Sequence, residues 1–173
     1  MRLDLAIDKI NIGYGVVIAL LTAIFGKYWI LFAGFLALNI VDYASGSVRS
    51  WMEKTLSSEV GAKGIIKKVS YWVVIGVAFY ISVALVKIAE IFGFQADFLT
   101  LIGWITLASY IVNESRSILE NLIQMKVRVP EFLVKGLKIA DQRIEKKADE
   151  ILKEMTDDEG YDSTASDSSE ETD

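Results

Sequence analysis

The chain has 173 residues, 53% of them hydrophobic, and no cysteine or histidine. That composition excludes a disulfide framework, Cys or His metal sites, and Ser–His or Cys–His catalysis. The net charge of −5 belongs to one end: residues 154–173 hold nine acids and no base, so the first 153 keep 14 acids against all 18 bases and carry +4.

The opening residues, MRLDLAIDKINIGYG, mix acids into a charged start and lack a small-residue cleavage site. They read as leading into a membrane segment rather than as a removable signal. Gly13-Tyr14-Gly15 is not a phosphate loop, because neither a strand nor a Lys-Ser end accompanies it. A spanning helix needs about 20 mostly apolar residues. Four stretches approach this: residues 10–25; 28–41, reaching about Val48 if Asp42 is tolerated; 69–86, reaching Phe92 around Lys87 and Glu90; and 98–112, which runs on into NESRSILENLIQM. Only Gly26-Lys27 separates the first two. Either that pair is the turn of a helical hairpin and there are four spans, or residues 3–25 lie along the membrane surface and there are three.

The loop expected at 49–68 holds Arg49, Lys54, Lys63, Lys67 and Lys68, whereas 87–97 holds only Lys87 with Glu90 and Asp97. Lys126, Arg128, Lys135 and Lys138 follow the last apolar stretch. Short loops rich in Lys and Arg stay in the cytoplasm, so 49–68 and the C-terminus are expected inside and 87–97 outside. Trp29, Trp51, Trp72 and Trp104 fall mostly near span ends, as interfacial rings do; the plainer alternative is packing.

Pro130, the only proline, suits the first turn of a helix ending near residue 155. Within it Leu137, Ile144 and Ile151 recur every seven residues, with Ala148 and Met155 between, as a coiled-coil seam or as one face of a solvated or membrane-surface helix. From Thr156 the chain is too polar to bury much and reads as disordered. The expected organisation is all-α: a transmembrane helical domain over 1–128 with three to four spans, a cytoplasmic amphipathic helix over 129–155, and an acidic tail over 156–173. Repelling acidic tails beneath a cluster of copies are expected to delay assembly, or alternatively the tail docks a basic partner.

Polar groups at membrane depth are the candidate functional residues: Asn39 and Asp42 on the second stretch, Asn113, Glu114 and Arg116 at the end of the fourth. A charge inside hydrocarbon costs roughly 2.5–3.5 kcal/mol and usually faces protein or water. Either Asp42 or Glu114 pairs with Arg116, or these groups reach water at the cytoplasmic ends. Small residues recur at four-residue spacing, at Gly15, Ala19 and Ala23, at Ala33 and Ala37, and at Ala78 and Ser82, and such faces let helices approach closely.

At this point the chain resembles the bacteriophage holin family that includes the toxin-secretion holins. LNIVDYASG is similar to its apolar-Asp-Tyr-x-x-Gly signature, through Asp42, Tyr43 and Gly46. LSSEVGAKGIIKKV is similar to its linker, through Ser58, Gly61, Gly64, Lys67 and Lys68. NESRSILEN is similar to its Asn-Glu-x-x-Ser-Ile-x-Glu-Asn block, through Asn113, Glu114, Ser117, Ile118, Glu120 and Asn121. The resemblance covers residues 30–138; the acidic extension departs from the family's basic end. It implies a pore former of the bacterial cytoplasmic membrane, with no enzyme chemistry, cofactor, metal or nucleic acid. Its partners would be the lipid bilayer, further copies of itself, and an endolysin or other exported protein. Asp42 and Tyr43 would then mark the rim of a hydrated pore. A membrane adaptor holding a soluble partner by its C-terminal region is the alternative, and a small transporter a third.

The charge asymmetry gives a direct test. Cysteines replacing Ser57 and Ser166 are expected to resist a membrane-impermeant thiol reagent in intact cells, and one replacing Gln95 to react. Labelling of Ser57→Cys from outside, before any lesion forms, reverses the orientation.

Overall fold

Apolar and small residues recur at three- and four-residue spacing through the middle of the chain, and each run closes into a helix that buries one face. The computed structural model describes residues 26–160 continuously, together with 15, 16, 18, 19 and 22; for 157–160 it describes the backbone alone. Among the described residues the architecture is all-α, with four long helices. These are α1 (Trp29–Met52), entered through a 3-10 turn at Gly26–Tyr28; α2 (Ser58–Phe92); α3 (Leu101–Gln124), entered through a 3-10 turn at Asp97–Thr100; and α4 (Glu131–Gly160). Most of the segment expected to be the first span, and residues 161–173 of the acidic tail, lie outside the described residues.

α3 packs on both α1 and α2, which touch each other far less. Contacts between α1 and α3 ascend together, Phe32 on Trp104 and Phe35 on Tyr110. Those between α2 and α3 run in opposite senses, Ser82 on Gly103 and Lys68 on Glu114. The core is Phe32, Phe35, Ile75 and Leu107, with Tyr71, Trp72, Phe79, Trp104 and Tyr110 packed around it. Trp72 and Trp104 are therefore packing residues: Trp104 meets Phe79 and Tyr28 edge-on at 5.0 and 5.1 Å, and Trp72 lies 5.1 Å from Phe35. Trp51 alone of these three stays open, at 70% exposure.

Gly103 lies close against the Phe79 ring of α2. A Cβ there would meet the Phe79 ring at 2.7 Å. The Gly103 amide is one of the four at a helix start that lack an internal partner. It donates to Ser82 Oγ on α2, at 2.9 Å, so a neighbouring helix caps α3 in place of its own Thr100.

The expected loop at 49–68 is mostly helix, a correction to the sequence reading. α1 continues through Met52 and α2 starts at Ser58, leaving only residues 53–57 between them. Ser57 is the reason: its hydroxyl accepts from the Val60 amide at 3.2 Å, a side-chain N-cap that starts the helix before the apolar run begins. α4 begins directly after Pro130, as expected, and continues to Gly160, past the expected end at 155. Its seven-residue face is the covered one: Ile151 is buried, and Leu137 and Ile144 are half-buried.

Two stretches among the described residues, Gly26–Met52 and Ser58–Phe92, are long and apolar enough to cross a membrane. α3 has 24 residues, but its polar block starts at Asn113, so only the first half is span-like.

Three helices end alike. After α1, the Thr55 amide donates to Ser50 O at 2.9 Å and the Lys54 amide to Trp51 O at 3.1 Å; after α3, Val127 donates to Leu122 O and Lys126 to Ile123 O. α2 repeats the pattern with Gly93. This double closure requires a left-handed residue. Gly93 suits it at φ 83°, but Lys54 and Lys126 adopt φ 59° and 63°, where a Cβ costs roughly 1–2 kcal/mol. Two substitutions should thus act in opposite senses on unfolding in detergent. Lys54→Gly is expected to stabilise by about 1 kcal/mol, and Gly103→Ala to destabilise by about 1–3 kcal/mol through the Phe79 clash.

Candidate functional site

Each of the three packed helices carries its inward face from apolar to polar residues toward one end. On α1 the sequence of that face is Phe32, Phe35, Asn39, Asp42, Gly46. On α2 it is Ile75, Tyr71, Lys68, Gly64, Gly61, and on α3 Leu107, Tyr110, Glu114, Ser117, Asn121. The spacing of three and four residues keeps every member on one stripe.

The stripes converge on Lys68. Its ammonium lies 2.7 Å from Asp42 Oδ2 and also bonds Glu114 Oε2. Glu114 is 2% exposed and is among the most buried side chains of the chain. Asn121, also buried, donates to the other Asp42 oxygen at 3.1 Å and to Ser45 Oγ at 3.0 Å. One cation thus ties carboxylates from two other helices, and an amide fixes the rotamer of one of them.

Tyr43 lies outside this cluster, against α2. A Cβ at Gly61 would stand 3.3 Å from its hydroxyl, and one at Gly64 3.7 Å from its ring. The linker glycines therefore lie inside a helix, and Gly61 is the one whose missing Cβ leaves room for the Tyr43 hydroxyl. At Gly46 a Cβ would stand in ordinary contact with Asn121 Nδ2, at 3.6 Å.

Within one chain Arg116 does not pair with Asp42 or Glu114, the pairing that the sequence suggested within or between chains of an assembly. It bonds Asp141 of α4 at 3.2 Å and Asn113 at 3.4 Å, while Asp42 is bonded by Lys68 and Asn121. Two residues after Glu114, Arg116 is turned about 200° around the helix axis. It cannot share the inward face with Glu114 and ties α4 to α3 instead. Asn113 also donates to the Tyr71 hydroxyl at 3.5 Å. Asn39, one turn before Asp42, is buried and donates to Phe35 O at 2.9 Å; its Oδ1 has no partner among the described residues. Glu120 is exposed at the rim.

Asp42, Tyr43, Gly46, Gly61, Gly64, Asn113, Glu114, Arg116 and Glu120 all border one polar cavity of about 520 Å³; Asn39 lies below it. Lys68 and Asn121 are the members that sequence reasoning missed as partners. Their positions, four after Gly64 and seven after Glu114, put them on the same stripes, and that signal was available.

Comparison with known proteins bears on this cavity. A sequence profile described as the bacteriophage holin family matches residues 19–142, which contain every residue that borders it. The chain belongs to the bacteriophage holin family. The family is non-enzymatic and membrane-associated, so the buried acids and lysine are not an acid–base catalyst. A protein of Bacillus phage phi105 named "Probable holin" is 30% identical over 115 residues, covering 64% of this chain and 77% of that one. An uncharacterised protein of Clostridium perfringens is 36% identical over 119 residues, 69% of this chain and 81% of that one. One from Halalkalibacterium halodurans is 32% identical over 124 residues, 72% and 87%. No solved structure is a significant match.

The two lysine and arginine contacts should separate by size of effect. Lys68→Met strands two carboxylates, one fully buried, and removing one partner of a buried ion group typically costs about 3–5 kcal/mol. Arg116 and Asp141 are 52% and 33% exposed, and an exposed pair contributes at most about 1 kcal/mol. Equilibrium unfolding in detergent is expected to rank Lys68→Met well below Arg116→Gln. The reverse order removes Lys68 from the centre of the cluster.

Proposed function

We propose that this holin-family chain is a pore former. It accumulates in the bacterial cytoplasmic membrane, assembles with further copies, and opens a non-selective lesion through which an endolysin or another folded protein passes. α1, α2 and α3 cross the bilayer, the polar second half of α3 reaching the cytoplasmic rim, with residues 53–57 and the C-terminal region in the cytoplasm.

The observation that carries this reading is the pairing of one wet end with an apolar barrel of outward side chains. Val73, Val77, Ile81 and Ile88 on α2, and Ile30, Leu36 and Ile40 on α1, are exposed along the spans. A row of this kind is expected to meet lipid or other copies. At one end the same helices enclose the charged cavity. Asp42, Lys68 and Glu114 gather ionisable groups there, and such groups are cheap to hold only where water can enter. Copies that gather with these ends together surround water rather than lipid, and the widening vestibule starts at Asp42 and Glu114. Homo-oligomer formation then needs no new chemistry, only exchange of lipid contacts for helix contacts.

Expression in bacteria that also hold a folded cytoplasmic reporter enzyme tests the proposal. The reporter is expected to reach the medium after a lag, with abrupt loss of membrane potential. Lys68→Met protein that still inserts is expected to change the lag. Stable insertion at high level with the reporter retained overturns the pore reading and favours an adaptor role.

A further inference from the structure

The turn after α3 and the first third of α4 combine two properties that the rest of α4 lacks. Residues 123–139 hold Lys126, Arg128, Lys135 and Lys138 against Glu131 alone, a net charge of +3. Residues 140–153 hold four bases and four acids. The same first segment leaves Ile123, Val127, Phe132, Leu133, Val134 and Ile139 exposed, Phe132 at 70% and Ile139 at 57%. Seven residues apart on one helix, Phe132 and Ile139 share a face, and Lys135 and Lys138 lie beside them.

The position of this patch decides its partner. Phe132 and Leu133 border a cavity of about 510 Å³ together with Leu38 of α1. Leu38 is one helical turn from Asp42, on the apolar side, so the start of α4 stands where the spans leave hydrocarbon. We propose that residues 123–139 are an anchor for the anionic cytoplasmic leaflet: Phe132 and Ile139 enter the acyl-chain boundary while Lys126, Arg128, Lys135 and Lys138 meet acidic headgroups. Lys135 can turn to a headgroup because its pair with Glu131, at 2.8 Å, lies on the surface with the two side chains 71% and 85% exposed, and an exposed pair contributes at most about 1 kcal/mol. The anchor fixes the depth of the elbow and therefore of Arg116, which tethers α4 to α3. It rests on the membrane placement proposed above.

The absence of cysteine makes single-cysteine reporters clean. The full chain, with a polarity-sensitive fluorophore at Val127→Cys or Ile139→Cys, is reconstituted into vesicles of phosphatidylcholine with or without phosphatidylglycerol. Reporters at Val77→Cys, on the outward face of α2, and at Glu145→Cys serve as controls. The expected result is a blue shift at 127 and 139, with quenching by brominated acyl chains, in the phosphatidylglycerol vesicles. Both effects should be lost without the anionic lipid, at about 1 M salt, where charges are screened beyond about 3 Å, or in Lys126→Gln/Lys135→Gln/Lys138→Gln. Position 145 should stay in water throughout. Reporters that remain in water while Val77 is quenched overturn the anchor and leave the spans in place. Reporters shielded equally in both lipids and untouched by brominated chains also overturn it, and point to a second copy covering the patch. A Val77 reporter that escapes quenching overturns the membrane placement itself.

Discussion

A single ammonium group holds the three packed helices in register. Lys68 on α2 reaches Asp42 on α1 and Glu114 on α3, and α1 and α2 otherwise share little contact. Charges taken out of water gain little net stability from meeting one another, because desolvation offsets most of the attraction. What they impose is a penalty on every other arrangement. Sliding any one helix by a turn, about 5.4 Å, would part Lys68 from Asp42, from Glu114 or from both. The cluster therefore acts mainly as a register device, and Asn121 completes it by occupying the second oxygen of Asp42.

Register matters here because lipid removes the force that would otherwise set it. Between helices in hydrocarbon, burial of apolar surface brings little gain, since acyl chains are as apolar as leucine. Association then depends on close approach and on polar contacts. Both appear at opposite ends of the α2–α3 pair. Gly103 lies under the Phe79 ring and gives its amide to Ser82, while Lys68 and Glu114 close the other end. Between them the fit comes from aromatic rings, with Tyr71 and Tyr110 at 4.4 Å and Phe32 near Phe79 at 5.5 Å. The inside of the bundle is thereby specified residue by residue, and its outside is left apolar.

The same division leaves one end of the bundle open to water. Polar groups that face each other within a single chain are already partly open to a cavity of about 520 Å³. Lys68 and Asp42 keep 15% of their side-chain surface exposed, and Glu114 keeps 2%. Hydrating them requires a change in how neighbours cover the rim rather than a change of fold. α4 stands beside that rim, held by Arg116 and Asp141, so its position and the cover of the cavity are linked.

Much of this was legible from residues alone. Apolar length placed α1 and α2; Pro130 placed the start of α4; and the order Asp42-Tyr43, Gly61-Gly64, Asn113-Glu114 carried the family, which the profile over 19–142 shows. These features depend on neighbours within a few residues, and the local chain settles them. Helix through 58–68 was missed because two glycines and four charges read as a loop; the Ser57 cap starts it, a Glu59–Lys63 pair one turn apart lies along it, and Gly61 faces the Tyr43 hydroxyl. The partner of Asp42 was missed for a related reason. Charge alone allowed Arg116 or Lys68, and the choice depends on the angular position of each base around its own helix once three helices are packed. Sequence by itself determined which side chains were polar at depth. The tertiary structure decided which of them meet, because a contact between helices is fixed by rotation and register together, and neither is a property of one stretch of chain.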